Sequence, residues 1–288
     1  MPTLTDEQRR QWAVDGYIHL EGALDPQEVS LYCGLIDSLR PQAGWEPVPG
    51  LPFGHYGWVE HNATANDLDS FMDRRDILGY AQPFLDLVDR PNVFDPILEL
   101  MGPNVVLSMS QAIVRASTTE FPGFIHTDGG QALRQIRVTE TSRPLAVKAL
   151  YLLTDVEGTD CGNFTVFPGS HLRQIPFDSD AAPTPHTPGA VQLGGKAGDC
   201  YLFSHALWHG PAPNHSGKGR KSLLYNYAQM FVKPYDFPTM AGVMDACTPR
   251  QRRLLGDLGH APRLGDFFYV PEDQEDVMFQ RTGARQAA

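Results

Sequence analysis

Cysteine is scarce in this chain. Its four cysteines, Cys33, Cys161, Cys200 and Cys247, lie far apart and form no Cys-x-x-Cys pair, which argues against a thiolate zinc site or a disulfide framework. Basic residues are also few, 23 against 34 acidic ones, for a formal charge of −11. Such a chain has little attraction for nucleic-acid phosphate or an anionic membrane. Its only basic clusters, Arg9-Arg10 and Arg250 to Arg253, fall in helical patterns. No run of 18 or more apolar residues exists, which excludes an ordinary transmembrane helix. The N-terminal Met1-Pro2-Thr3-Leu4-Thr5-Asp6 shows no apolar signal-peptide core. We therefore expect a cytoplasmic protein with reduced thiols and with neither nucleic acid nor membrane as a partner. A nucleophile elbow, a phosphate-binding loop and a dinucleotide fingerprint are all missing, which removes serine hydrolases, P-loop enzymes and Rossmann folds.

What is present is strand. After two amphipathic helices the runs over 105–115, 200–204 and 222–232 read as β-strands separated by Gly/Pro turns. Thr5 with Gln8 three residues on is a capping box that opens a helix to about Asp15. A short strand follows over 16–22, and Asp25-Pro26 begins a second helix with proline in its first turn. Residues 67–101 read as helical, as does a segment near 248–255; residues 41–66 are irregular. With 42% hydrophobic residues and no internal repeat, the expectation is a single domain over 1–288. Its fold is expected to be a β-sandwich or jelly roll with helical covering.

The chemistry lies in His126-Thr127-Asp128 and in the stretch from Gly198 to Ser222. Residues two apart on a strand share a face, so His126 and Asp128 can reach one metal while Thr127 points away. The bland alternative is a surface pair beside the Gly129-Gly130 turn. A His-x-Asp pair plus one distant His is the ligand set of a non-haem Fe(II) centre that leaves positions open for co-substrate and oxygen. His205 and His209 both suit the third position. His209 is preferred because Arg220 then lies 11 residues on, across a loop and into the next strand, where its fork can hold a carboxylate. His205 becomes a core or supporting histidine and His215 a solvated loop residue. His55 and His61, in the irregular aromatic segment, are weaker candidates for touching substrate.

Four motifs in this order resemble the phytanoyl-CoA dioxygenase family of Fe(II)/2-oxoglutarate oxygenases. They are Asp15-Gly16-Tyr17-Ile18, His126-Thr127-Asp128-Gly129, Gly162-Asn163 with Pro168-Gly169-Ser170-His171, and Trp208-His209-Gly210 with Asn214-x-Ser216 and Arg220-x-Ser222. The resemblance implies a double-stranded β-helix (jelly roll, cupin-like) with His126, Asp128 and His209 on iron. It also implies Arg220 and Ser222 on the distal carboxylate of 2-oxoglutarate, with Tyr151 and Gln111 as lining residues for the same co-substrate. Because Asp128 is present, the halide site of related halogenases is not expected. The reaction implied is oxidation, foremost hydroxylation, of a small metabolite or natural-product scaffold with O2, releasing succinate and CO2. The alternative from another class is a metal-binding jelly roll without oxygenase activity, such as a cupin-like isomerase or a sugar-binding module. Lys148, in the strand-like run over 146–151, is the competitor to Arg220 for the co-substrate carboxylate. Substrate identity and oligomeric state are not written in these motifs.

Overall fold

The computed structural model describes residues 3–39, 68–69, 71–117, 123–129, 136, 139, 141–173, 182–234, 242–261, 263–266, 271–272 and 274. His55 and His61 lie outside the described residues, as do residues 41–66 and most of 129–144.

Helix α1 (Asp6–Asp15) starts at the expected box: Thr5 accepts from the Gln8 N–H, Gln8 reaches back to Thr5, and Gly16 ends the helix in the left-handed conformation. Strand β1 (Tyr17–Leu20) and helix α2 (Pro26–Leu39) follow. The segment expected to be wholly helical does not fold that way. Met72–Arg75 forms strand β2, antiparallel to β3, and only then come helices α3 (Gln82–Asp86) and α4 (Pro91–Met101). The alternating burial of β2, with Met72 and Arg74 buried and Asp73 and Arg75 less so, is the two-residue period of a strand rather than of a helix. Tertiary pairing overrides the local helical pattern there.

The remaining strands are β3 (Val105–Arg115), β4 (Ala146–Leu152), β5 (Phe164–Val166), β6 (Val191–Leu193), β7 (Cys200–Ser204), β8 (His209–Pro211) and β9 (Arg220–Gln229), before the short helices α5 (Val243–Ala246) and α6 (Pro249–Leu254). They form a six-stranded sheet, β1-β7-β4-β9-β3-β2, and a three-stranded sheet, β6-β5-β8. Every pairing is antiparallel. His126 adds an isolated bridge to His209 at the outer edge of the smaller sheet. The two sheets face each other without closing into a barrel. This is the expected jelly-roll, double-stranded β-helix architecture.

The large sheet separates two cores. One face packs on the helices through residues such as Val147, Ala149, Tyr151, Tyr225, Tyr227, Phe84, Phe94 and Ile97. The phenol groups of Tyr225 and Tyr227 donate to the carbonyls of Phe84 (2.6 Å) and Val88 (2.9 Å), so these buried hydroxyls are satisfied. The other face meets the small sheet through Met109, Ile113, Leu150, Phe203 and Leu224, which pack with Phe164 and Val166. Covered on both sides, β4 is buried along its whole length and therefore reads as an unbroken apolar run rather than as an alternation.

A bulge decides what reaches the second face. The β3–β9 register slips by one residue between Leu107 and Met109. Leu107 consequently belongs to the helix-side core and Met109 to the other. Beyond that point Gln111, Ile113 and Arg115 turn toward the small sheet with Met109.

Candidate metal centre and co-substrate pocket

Three loops and one short strand bring the polar groups together. The backbones of His126 and His209 exchange two N–H···O bonds of 2.8 Å each, so their imidazoles stand side by side with ring centroids 4.5 Å apart. Gly210 permits that approach, because a Cβ there would lie 2.5 Å from the Phe124 carbonyl oxygen and 3.1 Å from Ile125 Cα. Asp128 is tied in by its own N–H, which donates to the His205 carbonyl at 3.0 Å. Pro168-Gly169-Ser170-His171 acts at the same place: Ser170 Oγ accepts from the Trp208 N–H at 2.9 Å, and the Phe167 N–H donates to the Trp208 carbonyl. That turn therefore fixes the backbone immediately before His209.

The donor atoms of His126, Asp128 and His209 all lie within 4.8 Å of one another. Each imidazole places Nδ1 against a backbone carbonyl, Phe124 at 3.1 Å for His126 and Leu207 at 2.9 Å for His209. A carbonyl only accepts, so Nδ1 carries the proton and Nε2 keeps the lone pair that a metal needs. Burial, reinforced by His126, pushes the His209 pKa down to about 3; burial and then Lys148 also lower His126. Burial by itself would raise Asp128, but Lys148 and His209 outweigh it and hold the carboxylate below its usual range. All three groups are thus in the protonation state of ligands. One buried carboxylate oxygen, Asp128 Oδ2, has no hydrogen-bond partner. An orphaned carboxylate oxygen next to two imidazole lone pairs fits a divalent cation.

His205 does not join this group. It is 1% exposed, and its Nδ1 faces the Ala146 N–H at 3.4 Å. It is a core histidine that supports Asp128 through its backbone. His215 is exposed, as expected.

Beside the three donors lies a cavity of about 470 Å³, lined by residues that include Gln111, Lys148, Arg220, His126 and His209. Arg220 is 6% exposed. Its Nε donates to the Gly162 carbonyl at 2.8 Å and its Nη1 to Ser222 Oγ at 2.6 Å. Gly162 sits at φ 73°, a left-handed turn that suits glycine and that aims its carbonyl at the guanidinium. Burial and the neighbouring Arg115 push Arg220 down to about 9, as for a cation without a counter-charge. Asn214 braces the loop that delivers it: Nδ2 donates to the Arg115 and Lys218 carbonyls, and Oδ1 accepts from Ser216 Oγ.

Two expectations change. Tyr151 does not line the cavity; it is fully buried on the helix side of the sheet, its ring edge-on to Tyr225. Lys148 and Leu150 point into the cavity from the same strand, and a residue at odd spacing from Lys148 must face the other way. Lys148, expected as a rival to Arg220, instead forms an ion pair with Asp128 Oδ1. Gln111 does reach the cavity, where its Nε2 donates to Asp73 Oδ1. Arg75, Asp73, Arg115 and Phe124 also line it. Sequence reading missed all four, although the even spacing of Asp73 with Arg75, two apart, and of Gln111 with Arg115, four apart, was there to be seen.

A jelly roll that carries a His-x-Asp…His set at the mouth of a cavity with a buried arginine at its wall defines the class of Fe(II)/2-oxoglutarate-dependent oxygenases. The family model described as Phytanoyl-CoA dioxygenase (PhyH) matches residues 12–222. The chain belongs to the phytanoyl-CoA dioxygenase family and is an enzyme that uses Fe(II) with 2-oxoglutarate and O2. Two uncharacterized mycobacterial proteins, Mb1539 of Mycobacterium bovis and Rv1501 of Mycobacterium tuberculosis, are each 26% identical over 202 residues, 69% of this chain and 71% of theirs. Among solved structures, HygX from Streptomyces hygroscopicus with nickel and 2-oxoglutarate bound aligns at a TM-score of 0.64 and 18% identity, over 82% of this chain and 91% of that one. The epimerase SnoN in complex with Fe3+, alpha ketoglutarate and nogalamycin RO aligns at 0.56 and 21% identity, over 82% and 91%. At these identities the likeness to both is one of fold. No helix among the described residues is long and apolar enough to cross a membrane.

Proposed function

We propose that this chain, acting as one domain, oxidises a small-molecule metabolite or natural-product scaffold, with hydroxylation as the outcome. His126 Nε2, Asp128 and His209 Nε2 hold Fe(II), and Arg220 with Ser222 binds the distal carboxylate of 2-oxoglutarate. Iron supplies oxidative decarboxylation: O2 and 2-oxoglutarate are converted to succinate and CO2, and the second oxygen atom goes to a substrate C–H bond to give an alcohol.

The observation that carries this reading is a metal-type donor set with one carboxylate oxygen left unpartnered, together with a buried guanidinium that meets no carboxylate among the described residues, both at one cavity. The remaining residues have positioning work. The Phe124 and Leu207 carbonyls hold the ligand tautomers. Ser222 and the Gly162 carbonyl fix the plane of the Arg220 fork, so that its remaining N–H donors can meet a carboxylate with two bonds. Gln111, oriented by Asp73, lines the co-substrate space. Phe203 and Phe164 set their rings edge-on to His209, with centroids 4.7 and 5.9 Å away, and keep water from that side. HygX was crystallised with hygromycin B and SnoN with nogalamycin RO, which supports a small-molecule substrate here.

The test is an anaerobic titration of Fe(II) protein with 2-oxoglutarate, followed by its weak visible charge-transfer band, and then admission of O2 with assay of succinate. Band formation and succinate release are expected. Metal binding without either would turn the reading to a metal-binding jelly roll that lacks oxygenase activity.

A further inference from the structure

The charge of the cavity wall says what kind of substrate it takes. Among the described residues four cations face the cavity: Arg75, Arg115, Lys148 and Arg220. Two carboxylates oppose them. Asp128 pairs with Lys148, and Asp73 lies in the field of Arg115. Fe(II) would bring two positive charges and 2-oxoglutarate two negative ones, so loading the site leaves the balance unchanged. Among these described residues two positive charges stay in excess. One is Arg220, which the proposed function assigns to the co-substrate.

The other is Arg75. Its recorded partner is a thioether: Nη1 donates to Met109 Sδ at 2.9 Å. Sulfur of this kind is a weak acceptor, a poor match for a guanidinium. The register places Arg75 opposite Gln111, which is opposite Leu224, which in turn pairs with Leu150. These four side chains cross the sheet in one row on the cavity face. Lys148 and Asn226 stand in the row toward the metal donors, and Arg115 with Arg220 close the other end. Arg75 is thus a cation on the edge strand, level with the middle of the cavity. A second feature of the same cavity is Phe124, 62% exposed, its ring centroid 4.8 Å from that of the metal-side His126. An aromatic surface left open beside the reacting centre suits an apolar body.

We propose that Arg75 recognises the substrate of this enzyme, and that the substrate is a small amphipathic anion: a carboxylate or phosphate carried on a hydrocarbon or aromatic skeleton that lies against Phe124. This rests on the proposed function, since it treats Arg220 as engaged by 2-oxoglutarate. Guanidinium geometry matches both anions with two parallel bonds, and a surplus of positive charge in a low-dielectric cavity concentrates anions and repels amines.

Four probes of one shape distinguish the possibilities: naphthylacetate, naphthyl phosphate, naphthylacetamide and naphthylethylamine. Binding is measured anaerobically by calorimetry or ligand-observed NMR on protein loaded with Fe(II) and 2-oxoglutarate, so that Arg220 is already occupied. At least one acid should bind about tenfold or more tighter than the amide, with the amine weakest; comparison of the two acids tells carboxylate from phosphate. Arg75→Gln should erase the difference between acid and amide while leaving amide affinity and the charge-transfer band unchanged. Arg75→Lys should restore part of the preference. The proposal is overturned if neither acid binds the wild-type protein, if amide or amine binds as well as the acids, or if Arg75→Gln keeps the preference. A weakened 2-oxoglutarate titration in Arg75→Gln would assign Arg75 to the co-substrate and equally overturn it. Absence of the charge-transfer band in the wild-type protein would instead count against the iron and 2-oxoglutarate reading.

Discussion

Removing the Arg220 fork tests the co-substrate site most directly. A guanidinium has five N–H donors; two are used internally, on the Gly162 carbonyl at 2.8 Å and Ser222 Oγ at 2.6 Å, and three are left for the cavity. In Arg220→Ala the distal carboxylate of 2-oxoglutarate would enter the same buried wall with no opposing charge. An uncompensated buried charge costs about 3–5 kcal/mol, which at about 1.4 kcal/mol per factor of ten corresponds to roughly two to three and a half orders of magnitude in affinity. Arg220→Lys restores the charge without the fork and should fall between the two. The assay is the 2-oxoglutarate titration of Fe(II) protein by its charge-transfer band. Fe(II) affinity measured without co-substrate should not change, because Arg220 contacts none of the three donors among its recorded partners. A 2-oxoglutarate dissociation constant within threefold of wild type in Arg220→Ala would refute the reasoning. A loss of iron affinity as large as the loss of 2-oxoglutarate affinity would do the same.

Three further outcomes follow from the geometry. His209→Ala should abolish Fe(II) binding by calorimetry, whereas His205→Ala, which removes a buried core histidine, should keep the metal and lower stability instead; the reverse result would reassign the third donor. Gly210→Ala should weaken Fe(II) binding by about tenfold or more, since its methyl would force the 124–126 backbone back by close to an ångström; an unchanged metal titration would show that this close approach is not needed. Asp199 accepts from the Gly22 and Lys196 N–H groups and from His19 Nε2, each at 2.9 Å. Burial acts to raise its pKa, but those bonds prevail and lower it. A depressed carboxylate pKa stabilises the fold above the ordinary Asp range, and that contribution disappears as pH falls through the folded value. Asp199→Asn should therefore cost about 1.5–3 kcal/mol in urea unfolding at pH 7, with the gap to wild type closing below the ordinary Asp range; a gap that is independent of pH would sink this account.

Much of the site could be read along the chain. The two-residue spacing of His126 and Asp128 placed both on one face before any fold was known, and the structure brings them together with His209. The Thr5–Gln8 box opens its helix as written. Arg220 and Ser222, also two apart, do share a face and a hydrogen bond. These features are local: backbone period and side-chain reach suffice to state them.

Tertiary structure decided the rest. His205 and His209 are four residues apart, one in a turn and the other opening β8, and only the backbone exchange between His209 and His126 set which of them stands beside His126. Period two already placed Lys148 and Tyr151 on opposite faces of β4. Which face held the cavity depended on where the helices and the small sheet packed, and β4, buried on both sides, carried no alternation to tell. Strand β2 exists because β3 offers it a partner, and the bulge after Leu107 turned Gln111 and Arg115 into the cavity. Spacing along a strand is set by its own backbone, whereas the side of a sheet that becomes a pocket is set by what packs on the other side.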